Sequence, residues 1–453
     1  MSLREDARGI FLAGVERVDP RLLLGKALRL RGEIMEVSHA GGTFEYDLSR
    51  YAHVAVVGMG KASAVLAEAL EGILGRRIGS GFVVAKSIGA SRCARIELAE
   101  AGHPVPDHRS VQAGGKVLEI AAKVREWEAR GEACLAIVLV SGGGSALLSA
   151  PAQGISLEDK AAATRLLLAS GATIQEMNGV RKHLSAIKGG RLAEAFQPAD
   201  VLSLILSDVV GDDLDAIASG PTVPDRWTWE SAAAVLKARK VWDSLPPPVR
   251  DLFVAGVEGR APDTPKPGAK AFGSTRTVLV GNNMLALRAA EEEARARGYN
   301  TLLLSSRIVG EAREVAKLFP ALAKDISLYG TPVPRPACIL AGGETTVTIR
   351  GKGRGGRNQE MALAALCALD EETKREGGFC FLSAGTDGND GPTDAAGAFA
   401  EPEILARASI QGLDPEAFLA DNDSYGFFDA SQGLLKTGST GTNVCDLQIL
   451  LVR

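Results

Sequence analysis

The sequence predicts an α/β protein of two domains: a Rossmann-like, doubly wound, mostly parallel sheet, then a second, smaller α/β domain, with a cleft between them. Three observations predict it. At 453 residues the chain exceeds what one hydrophobic core organises. A unit of short apolar strand, glycine-rich turn and amphipathic helix recurs along it, the pattern of a sheet covered on both faces. Prolines then cluster at Leu245-Pro246-Pro247-Pro248 and Pro262-Asp263-Thr264-Pro265-Lys266-Pro267-Gly268, breaking elements and marking an inter-domain passage. The domains are therefore expected at 1–260 and 271–453, with the last strand free to cross back and complete the first.

The first unit reads Val54-Ala55-Val56-Val57, then Gly58-Met59-Gly60-Lys61, then a helix burying Val65, Ala69 and Ile73. A helix near 115–128 puts Val117, Ile120, Ala121 and Val124 on one face, and the strand Leu135 to Val140 follows. Ser141-Gly142-Gly143-Gly144-Ser145 comes next, then helices from Leu157 to Phe196, then the strand Leu202 to Leu206 running into Ser207-Asp208-Val209-Val210-Gly211-Asp212-Asp213. Beyond the prolines the rhythm resumes at Val278-Leu279-Val280-Gly281, where Asn282 can cap a helix running to Gly298. Further strands are expected at Ala337 to Ala341, Val347 to Ile349, Phe379 to Ser383 and Cys445 to Val452.

Composition excludes several classes. Apolar residues at 46% and charged residues at 23% are those of a soluble globular protein. With 51 basic against 55 acidic residues and no dense basic block, nucleic acid is not an expected partner. The longest apolar runs are far shorter than the roughly 20 residues a membrane helix needs. The acidic start Met1-Ser2-Leu3-Arg4-Glu5-Asp6 is unlike a signal or transit peptide, so a cytoplasmic location is expected. Six cysteines lie scattered without a C-x-x-C pair, as buried thiols rather than a zinc site. The sequence is compatible with a homo-oligomer and does not specify one.

Several strand ends combine glycines with a following helix, and together they suggest an anion or phosphate site. In the first, Gly58 and Gly60 precede Lys61. A dinucleotide fingerprint fails there, because Ser63 replaces the third small residue and the next strand, Phe82-Val83-Val84-Ala85, ends at Lys86 instead of an acid. A P-loop fails too, since Ala62 follows Lys61 and Ala55 stands where the first glycine should be. Ser141, Gly142, Gly143, Gly144 and Ser145 form a backbone nest suited to a phosphate or carboxylate. Asn178-Gly179-Val180-Arg181-Lys182-His183 and Lys188-Gly189-Gly190-Arg191 make a cationic cluster, and the Ser207 to Asp213 carboxylates suit Mg²⁺, with Asp208 the first choice. In the second half, Glu344 follows a strand and Arg357 opens a helix, where a fixed guanidinium can bind two phosphate or carboxylate oxygens. Asp387, Asp390 and Asp394 crowd one loop; Pro392 and Ala398 exclude an EF-hand there. The segment His103-Pro104-Val105-Pro106-Asp107-His108 reads as a stiff loop lacking a third metal ligand.

These segments resemble a known family. Gly58 to Ser63, Ala101 to Asp107, Ser141 to Leu147, Val180 to Ser185, Ser207 to Asp212, Gly342 to Val347, Gly356 to Glu360 and Thr386-Asp387-Gly388 are similar, in order from about residue 55 to 445, to the class II glycerate kinases with a C-terminal MOFRL domain. The resemblance implies transfer of the ATP γ-phosphoryl group to D-glycerate, at the 2-hydroxyl, with a divalent metal such as Mg²⁺. It implies that Lys61 and Arg357 act as a cationic pair at an active site between the domains. Within that frame Gly58, Gly60, the Ser141 to Ser145 nest and Asn282 are expected on the nucleotide, and Asp208 and Asp212 near Mg²⁺. Arg181 is expected to clamp the glycerate carboxylate, with Lys61, Glu344, Arg357 and Asp390 also on the substrate. Asp387 or Asp390 is expected to accept the hydroxyl proton. The chief alternative is an NAD(P)-dependent hydroxypyruvate reductase, which the missing ribose-binding acid opposes. A non-catalytic metabolite-binding protein would leave Lys61, Arg357 and the carboxylates idle.

Overall fold

Continuous apolar runs become strands covered on both faces, where no alternation with polar residues is required. In the computed structural model, which describes residues 2–372 and 378–453, every residue of Cys134–Val140 and of Phe379–Gly385 is buried. The chain forms two compact units. One comprises Leu23–Ser207 and Asp212–Val280; the other gathers the residues up to Leu22, Asp208–Gly211 and Gly281–Arg453.

The first unit begins with a three-stranded antiparallel sheet, β1 (Leu28–Arg31), β2 (Ile34–His39) and β3 (Gly42–Asp47). Its main sheet contains β4 (His53–Met59), β5 (Ile78–Ala85), β6 (Ile96–Glu100), β7 (Cys134–Val140), β8 (Asp200–Leu206) and β9 (Thr275–Gly281), in the order β6-β5-β4-β7-β8-β9. The neighbours from β6 through β8 pair in parallel. The helix Ser63–Leu74 buries Ala64, Leu66, Ala67, Leu70 and Leu74, and His108–Ala129 starts on a reciprocal cap between Asp107 and Ser110. A satellite core of Leu167, Val180, Trp229, Leu236 and Phe253 joins four further helices. From β4 the chain builds outward through β5 and β6, then returns to lay β7 on the other side of β4. This reversal is a topological switch point, where loops at the strand ends diverge and leave room for a ligand.

The second unit's sheet contains β10 (Asn300–Ile308), β11 (Ala337–Gly343), β12 (Phe379–Gly385), β13 (Gly397–Ala400), β14 (Leu434–Leu435) and β15 (Asp446–Val452), ordered β10-β11-β15-β12-β13-β14. β10 and β11 are parallel, whereas β15 runs antiparallel between β11 and β12. The N-terminal helix Leu3–Arg17 is part of this unit. Its buried Asp6 accepts hydrogen bonds from Arg297 Nη1 at 2.9 Å, Tyr299 Oη at 2.8 Å and Arg453 Nη2 at 2.6 Å.

Three expectations are corrected. The boundary lies at Val280 instead of between 245 and 270, because Thr275–Gly281 adds to the first sheet beside β8. The last strand does not return to the first domain; it completes the middle of the second sheet. Val347 to Ile349 is not a strand, since only Thr346 makes a bridge, to Glu311, and Asn422 Oδ1 draws the chain aside by accepting from the amides of Arg350 and Gly351. Among the described residues no disulfide forms, and no helix is long and apolar enough to cross a membrane.

Candidate active site

At the switch point the loops after β4 and β7 brace each other. The Lys61 amide donates to the Gly142 carbonyl at 2.7 Å, the Ala62 amide to Ser141 Oγ at 3.0 Å, and the Ser141 amide to the Met59 carbonyl at 2.9 Å. Gly60 has φ 130°, and a methyl group there would come within 2.2 Å of Ser141 Oγ; only glycine allows that approach. Gly58 packs between Val83 and Leu139 of the flanking strands. The backbone of the first loop is thus committed to its neighbour, and its chemical contribution is the Lys61 side chain. Ser63 Oγ donates to the carbonyls of Gly60 and Val84, occupying the place where a dinucleotide fold keeps its third glycine. Across Gly143 (φ 77°), a methyl group would meet His103 Nε2 at 2.8 Å and Lys61 Cγ at 3.3 Å. Burial, then the Lys61 and Lys86 charges, push the His103 imidazole down to about 4, so it is neutral near pH 7.

Ser145 is the hub of the second loop. Its Oγ accepts from Arg181 Nη2 at 3.2 Å and from Lys188 Nζ, and shares a 2.9 Å hydrogen bond with Ser219 Oγ. Lys188 Nζ also donates to the Ser145 carbonyl at 2.7 Å. Nearby, Lys160 Nζ donates to Ser149 Oγ at 3.1 Å. Burial pulls the Lys160 ammonium down to about 7 with help from the Arg181 charge. Burial, then Lys160 and Arg181, pull Lys188 far below the usual lysine range.

The cationic cluster read in the sequence separates into two sets. Lys182 is paired with Asp215 and, at 3.2 Å, with Asp225. His183 bonds Asp263 at 2.9 Å and packs on Trp229, while Arg191 donates to the carbonyls of Ser185 and Pro262. These hold the fold together. Arg181 and Lys188 belong to the other set, together with Lys160, which sequence reasoning missed. A signal for it existed: Lys160 shares the buried helix face of Ala163 and Leu167, at the i, i+3, i+7 spacing of an apolar stripe.

In the second unit, the residues Gly343, Asp446 and Gly385 stand opposite one another on β11, β15 and β12. Glycines on both sides of Asp446 leave its carboxylate open to Arg357, which opens the helix Arg357–Cys367. Arg357 donates to Asp446 through Nε at 2.6 Å and Nη2 at 2.9 Å, and its Nη1 pairs with Glu344 at 2.9 Å. That leaves two of the five guanidinium N–H groups for a ligand. Burial opposes the Arg357 charge, but Asp446, Glu344 and Asp390 outweigh it and hold it firmly protonated. Asp208 takes part in this unit: its Oδ2 accepts from Asn443 Nδ2 at 3.2 Å and its carbonyl from Cys445 Sγ at 2.9 Å. Asp387 Oδ1 accepts from the Asn389 amide at 3.0 Å.

Other expected site residues have structural roles. Asp390 is 2% exposed and accepts from the amides of Asn358 at 3.1 Å and Gln359 at 2.8 Å, capping the helix whose N-cap position is Gly356. The carboxylate is thus engaged with the start of the helix. Asn282 caps Asn283–Ala296 by accepting from the Leu285 amide at 3.1 Å, and the buried Asn283 fixes the β15 entry through the carbonyls of Val444 and Asp446. Asp212, at φ 58°, belongs to the first unit and Asp208 to the second, where the chain passes between them. Among the described residues no group of three His, Cys, Asp or Glu side chains is arranged to hold a metal.

The model of a domain of unknown function, DUF4147, matches residues 6–254, and that of the MOFRL family matches residues 337–446. The chain is 36% identical to a glycerate 2-kinase of Pyrococcus horikoshii, over all of this chain and 98% of that protein. It is 41% identical to an Agrobacterium vitis protein that bears a hydroxypyruvate reductase name, over all of this chain and 95% of that one. A crystal structure of a Thermotoga maritima glycerate kinase superimposes with a TM-score of 0.84 at 36% identity, covering all of this chain and 99% of that one.

Proposed function

This chain belongs to the glycerate kinase family, and on that premise we propose that it transfers the γ-phosphoryl group of ATP to the 2-hydroxyl of D-glycerate. The observation that carries the reading is the switch point, where Lys61 and the Ser141 to Ser145 loop are locked together beside buried cations. Phosphoryl transfer demands little covalent chemistry of a protein; it needs positioning, charge neutralisation and a proton acceptor. Lys61 and the Gly142 to Gly144 turn would hold phosphate charge. Arg357, fixed by Asp446 and Glu344, would direct its two remaining N–H groups at phosphoryl oxygens. Asp387 is the proposed proton acceptor, since Asp390 is occupied as a helix cap.

Mg²⁺, when bound, would neutralise the nucleotide phosphates, with Asp208 and Asp212 as hard oxygen donors. A cation that arrives on phosphate oxygens needs only one or two carboxylates, which fits the lack of a preformed three-ligand cage among the described residues. The reductase reading is opposed by the end of β5, where Lys86 follows Ala85 in the place of a ribose-binding acid. We assign the protein to the cytoplasm, where ATP is available and its cysteines stay reduced.

The test is ADP release from MgATP with D-glycerate, beside hydroxypyruvate with NADH or NADPH. Glycerate-dependent ADP is expected, falling on the order of 100-fold or more in Lys61→Ala. Consumption of reduced cofactor without ADP would overturn the reading.

A further inference from the structure

A buried charge is costly unless an opposite charge compensates it, so folded proteins pair their buried cations. Lys182 follows the rule: at 0% exposure it has Asp225 and Asp215. Lys160 and Lys188 break it. They are 5% and 2% exposed, yet they donate to neutral oxygens: the Ser149 hydroxyl for Lys160, and the Ser145 hydroxyl and carbonyl for Lys188. Arg181, partly buried beside them, donates to the same Ser145 hydroxyl. Among the described residues none of the three is paired with a carboxylate. Arg181 opposes the charge on Lys160, and both oppose that on Lys188.

We infer that Lys160, Arg181 and Lys188, set around the hydroxyls of Ser145 and Ser149, form the subsite that takes the carboxylate of the hydroxy-acid substrate. The inference rests on the kinase reading for the identity of that acid. The deep burial of both lysine side chains restricts the subsite to a small anion such as a carboxylate group, whereas a triphosphate chain is long, polyanionic and accompanied by metal. The position fits as well. Ser145 lies two residues beyond Gly143, which Lys61 flanks, so a short acid held here by one end presents its hydroxyl carbon toward the loop assigned to phosphate. The Arg181 guanidinium, with the Lys160 and Lys188 amines that burial holds toward their neutral form and an arriving carboxylate would protonate, supplies more donors than a carboxylate's two oxygens require, and the spare ones keep the serine hydroxyls oriented.

The experiment compares D-glycerate with glyceramide, its uncharged amide, in wild type, Lys188→Met and Arg181→Met. With wild type, kcat/KM is expected to favour glycerate on the order of 100-fold or more. Each variant should raise KM for glycerate on the order of 10- to 100-fold, shrink that preference, and leave KM for MgATP within about twofold. A rise in KM for MgATP alone would make these cations a phosphate site and overturn the inference; so would unchanged preference in a folded variant. Calorimetry on wild type covers variants that fail to fold: equal affinity for glycerate and glyceramide also overturns it. If wild type makes no phosphoglycerate, the kinase reading fails, and the subsite is judged separately by whether binding still prefers the acid over the amide.

Discussion

Asp390 shows how much a residue's surroundings decide its chemistry. In the sequence it is one of three aspartates in a glycine-rich loop, but the fold buries it against two helix amides. Burial raises its carboxyl from an ordinary 3.8 to about 7, with the Asp446 charge adding to it and the Gln359 and Asn358 amides and Arg357 acting in the opposite direction. Between those values the folded chain holds a proton that the unfolded chain releases. Its contribution to stability is therefore complete below about 3.8 and is lost as pH rises toward about 7. In urea titrations across this range, Asp390→Asn should become more stable relative to wild type as pH increases. Parallel stability curves would contradict the raised value. Two residues escaped sequence reasoning for different reasons: Lys160 carried a signal that went unread, its place on the apolar stripe of Ala163 and Leu167, whereas Asp446 acquires its role only through tertiary neighbours. Arg357 was legible because a guanidinium at a helix start after glycines has a local chemical meaning. Its partner Asp446 lies 89 positions away along the chain, and nothing local marks it.

Among elements, the strand-turn-helix units were legible where burial on both faces leaves an unbroken apolar run, as in β4, β7, β8, β11, β12 and β15. In β2 buried Met35 and Val37 alternate with partly exposed neighbours, a period-2 signal that was present but went unread beside the stronger runs, while β3 buries only Tyr46 and shows no such period. Short strands such as β13, with four residues, and β14, with two, have no room for any period. The loops at the switch point were read as possible phosphate nests, and the structure adds what residue type alone does not carry: the amides of Lys61 and Ala62 point into the neighbouring loop. This makes Gly60 a structural hinge of the site. Gly60→Ala should cost about 2 kcal/mol or more, from the left-handed backbone and the contact with Ser141, and should slow turnover. Gly72→Ala, on the same unit's helix Ser63–Leu74 with open space around it, should instead stabilise by about 0.5 kcal/mol. Equal thermal melts for the two variants would contradict the brace.

For the whole molecule, two α/β units were foreseeable from length and rhythm, but their membership was not. Proline density marks where elements break, and the breaks here fall within the first unit, around the helix Pro247–Val257 and the approach to β9. Sheet membership is decided by hydrogen bonding between distant segments, which is why Leu3–Arg17 joins the C-terminal half through Asp6 and its partners Arg297, Tyr299 and Arg453. The family's domain models follow the sequence order instead, one matching residues 6–254 and the other 337–446. The proposed activity is most directly tested by the identity of the product. Purified protein with D-glycerate and MgATP should yield a phosphoglycerate that enolase dehydrates at once, without a mutase, as 2-phosphoglycerate does. A product that requires the mutase first would show phosphorylation at the 3-hydroxyl and contradict the account.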